Sequence, residues 1–143
     1  MVNVKGVNMI EASKRYANFF LRNSIRIQGI YYLLSGVWPL LSIGTFQAVT
    51  GPKTDLWLVQ TVGLLLMVNG LILMLASYGH KIDWSIFTIG VCTALALVGI
   101  EVVYVLKGTI SVVYLLDAAV EILFIVAWIG KPRSADMPGS VPP

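Results

Sequence analysis

Gly99-Ile-Glu-Val-Val-Tyr-Val-Leu-Lys-Gly-Thr-Ile-Ser-Val-Val-Tyr-Leu-Leu-Asp-Ala-Ala-Val-Glu121 is among the most apolar stretches of an apolar chain, yet it carries Glu101, Asp117 and Glu121. Lys107-Gly108-Thr109 divides it into two arms. Each arm continues outward, into Trp84–Leu106 on one side and toward Ile129 on the other, as an apolar run long enough to be a membrane helix. A carboxyl group inside such a run is costly unless it faces a partner, water or a proton, so intramembrane acids mark a functional site by default.

The rest of the chain agrees with a membrane setting. Of its 143 residues 57% are apolar and 12% charged, about half the charge of an ordinary soluble domain. Working back toward the N-terminus, the pattern predicts a third apolar helix over about Leu56–Tyr78 and a fourth over about Ser24–Val49. The segment before the acids is then the span Trp84–Leu106 and the segment holding two of them the span Ile110–Ile129. Pro39 is expected to kink the first span, because it has no N–H for the carbonyl of Ser35. Thr50-Gly51-Pro52-Lys53-Thr54-Asp55 is a sharp connection, with Gly51 ending one helix and Thr54 or Asp55 capping the next. His80-Lys81-Ile82-Asp83 is a second short connection, with Asp83 as the expected N-cap.

Before the first span, Met9, Ala12, Tyr16, Phe19 and Phe20 recur at helical spacing opposite Glu11, Lys14, Arg15, Asn18 and Arg22. That pattern suits an amphipathic helix in the headgroup plane. The predicted fold is all-α: an integral membrane bundle of four antiparallel transmembrane helices with an N-terminal amphipathic interfacial helix. Residues 1–24 form the N-terminal segment, 25–130 the transmembrane domain and 131–143 a disordered tail containing four prolines. No cleaved signal peptide is read at the start. Eight basic residues (Lys5, Lys14, Arg15, Arg22, Arg26, Lys81, Lys131 and Arg133) fall on one side of this bundle, and Lys53 and Lys107 on the other. The positive-inside rule puts both termini in the cytoplasm. Trp57 at one end, and Tyr78, Trp84 and Trp128 at the other, are read as interfacial belts.

The polar residues within the spans converge. Tyr114, Asp117 and Glu121 recur at i, i+3 and i+7 and so share one helix face. At the helical rise of about 1.5 Å per residue, Gln60 is level with Glu101 and Asn69 with Glu121. Tyr104 stands one turn from Glu101. The predicted site is a polar seam of Glu101, Asp117, Glu121, Asn69, Gln60, Tyr104 and Tyr114, with Lys53 as a lid charge. Glu121 is expected to hydrogen-bond Asn69. Three carboxyls in one dry space cannot all ionise without compensation, so a proton or an added cation is expected there; whether a metal binds is open.

Other chemistries lack their residues. Cys92 is the only cysteine and His80 the only histidine, which excludes dithiol redox chemistry and a histidine metal or haem site. No zinc-protease, nucleophile-elbow or phosphate-loop motif occurs. No catalytic residue and no cofactor is assigned, and the net charge of +3 is spread over helix ends rather than built for nucleic acid. Gly29, Gly36 and Gly44, spaced by seven and eight, suggest a close-packing face and a homodimer within the lipid bilayer. Three functions follow: binding or transport of a proton, metal cation or small organic cation; a structural or accessory subunit with the acids as hydrogen-bond glue; and a lipid-modifying enzyme.

Phe46-Gln47-Ala48-Val49-Thr50-Gly51-Pro52-Lys53-Thr54-Asp55, followed by Trp57-Leu58-Val59 and Thr61-Val62-Gly63, resembles a group of small bacterial membrane proteins. In that group a Phe-Glu-Ala-Val-Thr-Gly-Pro-Lys pattern joins the first two of four spans. Gln47 stands where the group has the acid. The architecture is also loosely similar to the DoxX-like proteins. The resemblance implies four spans, a bacterial inner membrane as the location and no particular activity.

Overall fold

The computed structural model describes residues 4–79 and 82–130, with side chains described at Tyr16 and from Phe19 onward. The expected tail 131–143, His80 and Lys81, and most side chains of the amphipathic segment lie outside the described residues. The described residues form five helices and no strand: α1 (Val4–Leu41), α2 (Ile43–Thr50), α3 (Leu56–Tyr78), α4 (Trp84–Leu106) and α5 (Tyr114–Ile129). Both α3 and α4 are 23 residues long and apolar enough to cross a membrane. At about 35 Å each they exceed a hydrocarbon core of about 30 Å. The pair Phe19–Leu41 and Ile43–Thr50 is a third candidate, bent by 111°.

The expected boundary near residue 24 between an interfacial helix and a span is not there: α1 is one helix of 38 residues. Arg22-Asn23-Ser24 holds neither proline nor glycine to break it. The Ser24 hydroxyl donates to the Phe20 carbonyl at 2.9 Å, a bond made within the helix. Nor does the first span continue, kinked, to Val49. Pro39 lies in the last turn of α1, and Ser42, with φ −149° and ψ 81°, turns the chain into α2. The corner is braced. Trp38 Nε1 donates to Thr45 Oγ1 at 3.0 Å, Thr45 Oγ1 donates to the Ser42 carbonyl at 3.1 Å, and the Trp38 and Phe46 rings meet edge to face at 5.6 Å.

Helix α3 and helix α4 have their expected limits, and Asp83 caps α4 by accepting from the Ile86 N–H at 3.1 Å. Asp55 sits at the N-cap of α3 but makes no side-chain cap bond. The last helix starts at Tyr114 instead of Ile110 and is 16 residues long. Gly108, at φ 68°, takes the left-handed conformation that ends α4. The chain then descends through tight turns, in which Tyr114, Leu115 and Leu116 bond three residues back to Ser111, Val112 and Val113. β-Branched residues at 109, 110, 112 and 113 favour this over an early helix.

Helix α1 is the axis of the bundle. On one side α3 packs along it so closely that side chains are excluded. A Cβ on Gly70 would lie 2.6 Å from the Gly29 carbonyl oxygen, and one on Gly63 would lie 2.7 Å from that of Gly36. The pairs 29–70 and 36–63 run in opposite directions, so the two helices are antiparallel. Gly29 and Gly36 are therefore spent within the chain, not on a second copy; Gly44 has no atom within 4 Å of its Cβ position. On the other side α1 meets α5 and α4, which pack on each other. There Gly90 lets the Trp128 ring lie on the α4 backbone. Ile25, Tyr32, Leu73, Val91 and Trp128 form the common core. Arg22 donates to the Gly79 carbonyl at the end of α3, and the Arg26 guanidinium lies 4.5 Å from the Tyr78 ring centroid.

Candidate functional site

The face of α5 that carries Tyr114, Asp117 and Glu121 continues through Phe124 to Trp128 at helical spacing, and all but Tyr114 and Asp117 are buried. Against it stand Gln28, Tyr31 and Tyr32 of α1 and Gly90 and Glu101 of α4. Glu121 is fully buried and Glu101 is 4% exposed. The Tyr32 hydroxyl donates to Glu121 Oε2 at 2.9 Å. The Tyr31 hydroxyl, with Ser35 within hydrogen-bonding reach one turn on, donates to Asp117 Oδ1. Glu101 lies within hydrogen-bonding reach of Asp117. Among the described residues two buried side-chain oxygens have no hydrogen-bond partner: Glu101 Oε2 and Glu121 Oε1.

Toward the Arg22 end of the bundle the network continues through Gln28, also fully buried. Its Oε1 accepts from Trp128 Nε1 at 2.7 Å, and its Nε2 donates both to the Gly90 carbonyl and to the Tyr32 oxygen at 3.0 Å each. Four helical positions on three helices are thereby joined by saturated hydrogen bonds, as buried polar groups require.

The three acids of the expected seam are thus brought together, but the other expected members are not. Asn69 does not meet Glu121; its Nδ2 donates to the Leu65 carbonyl of its own helix at 3.2 Å. Gln60 is exposed. The reason is the glycine face of α3: Gly63 and Gly70 turn toward α1, which rotates Asn69 by about 100° away from that contact. Tyr104 is 40% exposed, with Lys107 Nζ 5.4 Å from its ring centroid. Lys53 does not stand over Glu101. Its Nζ lies 4.9 Å from the Tyr114 ring centroid and donates to the Thr50 carbonyl at 3.1 Å. Its backbone N–H donates to Gln47 Oε1 at 3.2 Å, so Gln47 braces the loop in its uncharged form. Trp57, Tyr78 and Trp84 are exposed as belt residues should be, but Trp128 is 5% exposed and belongs to the core.

Sequence reasoning missed Gln28, Tyr31, Tyr32 and the inward role of Trp128. A signal existed for Gln28: it is an uncharged polar residue in an apolar helix, on the stripe of Ile25, Gly29 and Tyr32. The chain matches no known protein family, no curated protein and no solved structure.

Chemically, the cluster is suited to protons. A hydrogen bond between the Glu101 and Asp117 carboxyls exists only with a proton on one of them. Glu121 has one oxygen bonded and one open. Among the described residues no three His, Cys, Asp or Glu side chains are arranged to hold a metal ion.

Proposed function

We propose that this chain is a multi-pass membrane protein that binds and transports protons, or a small cation in their place, at the buried cluster of Glu101, Asp117 and Glu121. The observation that carries this reading is the pair of buried carboxyl oxygens, Glu101 Oε2 and Glu121 Oε1, with no hydrogen-bond partner. A carboxylate oxygen buried that way is costly, and a proton or cation relieves it. The two long apolar helices and the bent pair support a four-span bundle in which α5 is the fourth span, extended by the turns before it. The basic residues support an orientation with both termini in the cytoplasm. A homodimer belongs to the same reading, with Gly44 left open to serve it.

A second reading is favoured by a specific observation. The saturated network of Trp128, Gln28, Gly90 and Tyr32 is what hydrogen-bond glue between helices looks like, and the acids could extend it. Proteoliposomes separate the two. Under an imposed pH gradient the protein should dissipate the gradient faster than empty liposomes, and E101Q and E121Q should each return the rate to that background. Dissipation by the unmodified protein at the empty-liposome rate would overturn the transport reading.

A further inference from the structure

Every hydrogen-bond direction around Gln28 is determined by chemistry. The indole Nε1–H of Trp128 can only donate, so the Gln28 atom facing it at 2.7 Å is the carbonyl oxygen. The Gly90 carbonyl can only accept, so the atom facing it at 3.0 Å is the amide nitrogen. The two assignments agree. The second N–H of that amide, at 3.0 Å, then goes to the Tyr32 oxygen. With its oxygen occupied as an acceptor, the Tyr32 hydroxyl turns its own proton toward Glu121 Oε2, at 2.9 Å.

We propose that Gln28 is the positioning residue of the acid cluster: by holding Tyr32 as a donor to Glu121 Oε2, it leaves Oε1 as the unbonded oxygen of Glu121 that takes a proton or cation. This rests on the reading of the cluster as a proton or cation site. Gln28 does not touch Glu121; it acts through Tyr32. Toward the Arg22 end the network ends in an amide and an indole N–H, neither of which takes up and releases protons near neutral pH. Exchange at Glu121 therefore runs through Oε1, and passage toward the Arg22 end requires the Gln28 bonds to open.

The test is the infrared carboxyl signal of Glu121 in the purified full chain, isolated as the difference between each variant and the same variant carrying E121Q. The signal exists whether Glu121 is protonated or ionised. Y32F removes the donor and should shift the band. Q28E keeps nearly the same shape and an acceptor for Trp128, but offers Tyr32 an oxygen instead of an N–H. Tyr32 then donates to residue 28, and the Glu121 band should shift in the same direction as in Y32F. Q28M, which offers Tyr32 no donor, should broaden or shift the band likewise and serves if Q28E does not fold. A Glu121 band at its unmodified position in a folded Gln28 variant, with Y32F shifted, would overturn the positioning role. A shift in the Gln28 variants alongside background proton flux would instead sustain the positioning role and sink the transport reading.

Discussion

Glu121 accepts one hydrogen bond where a carboxylate has about four acceptor positions, and it does so inside the bundle at 0% exposure. Its replacement therefore depends on shape and polarity together. E121Q retains an acceptor for Tyr32 and is expected to change stability by no more than about 1 kcal/mol. E121L removes the acceptor and strands the Tyr32 hydroxyl, at an expected cost of about 1–3 kcal/mol. Thermal unfolding in detergent checks both; equal losses for the two variants would show that the Tyr32 proton finds another acceptor. Asp117 is served by Tyr31 in the same way. Y31F removes that donor and should destabilise by about 1–3 kcal/mol. A loss well under about 1 kcal/mol would mean that this bond does not help hold α1 to α5. The acids themselves were legible from sequence, because a carboxyl in an apolar run stands out whatever surrounds it. Their tyrosine partners were not, since a tyrosine in a membrane helix reads equally well as packing.

Among the elements, the α1–α3 contact makes the sharpest demand. The Cβ position of Gly36 overlaps the Gly63 carbonyl, while that of Gly44 meets nothing within 4 Å. G36L is expected to cost about 3 kcal/mol, at the upper end of the usual overpacking penalty, by separating the two helices. G44A should stay within about 0.5 kcal/mol, as an open site does. Chemical or thermal unfolding of the two variants side by side gives the comparison, and comparable losses would mean that the glycine pairing does not hold α1 to α3. Helix limits followed local signals where caps and glycines are strong, as at Asp83 and Gly108. They departed from those signals where the outcome depended on what came next. Pro39 weakens α1, but the corner falls at Ser42 because Trp38, Thr45 and Phe46 close around it.

For the molecule as a whole, the distribution of charge sets the expected orientation. The four-span reading assigns eight basic residues to the cytoplasmic side and two to the other, and it predicts that a cysteine replacing Lys53 is labelled by an impermeant reagent from outside intact cells, in a chain whose Cys92 has been replaced. A cysteine replacing Lys81 should be labelled only after permeabilisation. The reverse pattern would invert the bundle.

The sequence by itself determined the all-helical class, the membrane setting, the α3 and α4 limits and the three acids. These rest on local quantities: apolar run length, cap residues, and the cost of a charge in hydrocarbon. Only the tertiary structure decided which face each helix turns inward. Asn69 and Glu121 sit at equal depth by residue count, yet depth says nothing about rotation. The contact of Gly63 and Gly70 with α1 sets the rotation of α3 and carries Asn69 out of reach. The same contact leaves the other side of α1 to supply Gln28, Tyr31 and Tyr32 to the acids. Close approach of the two backbones pairs Gly36 with Gly63 and Gly29 with Gly70, residues from two separate helices, and no local pattern in either helix names its partner.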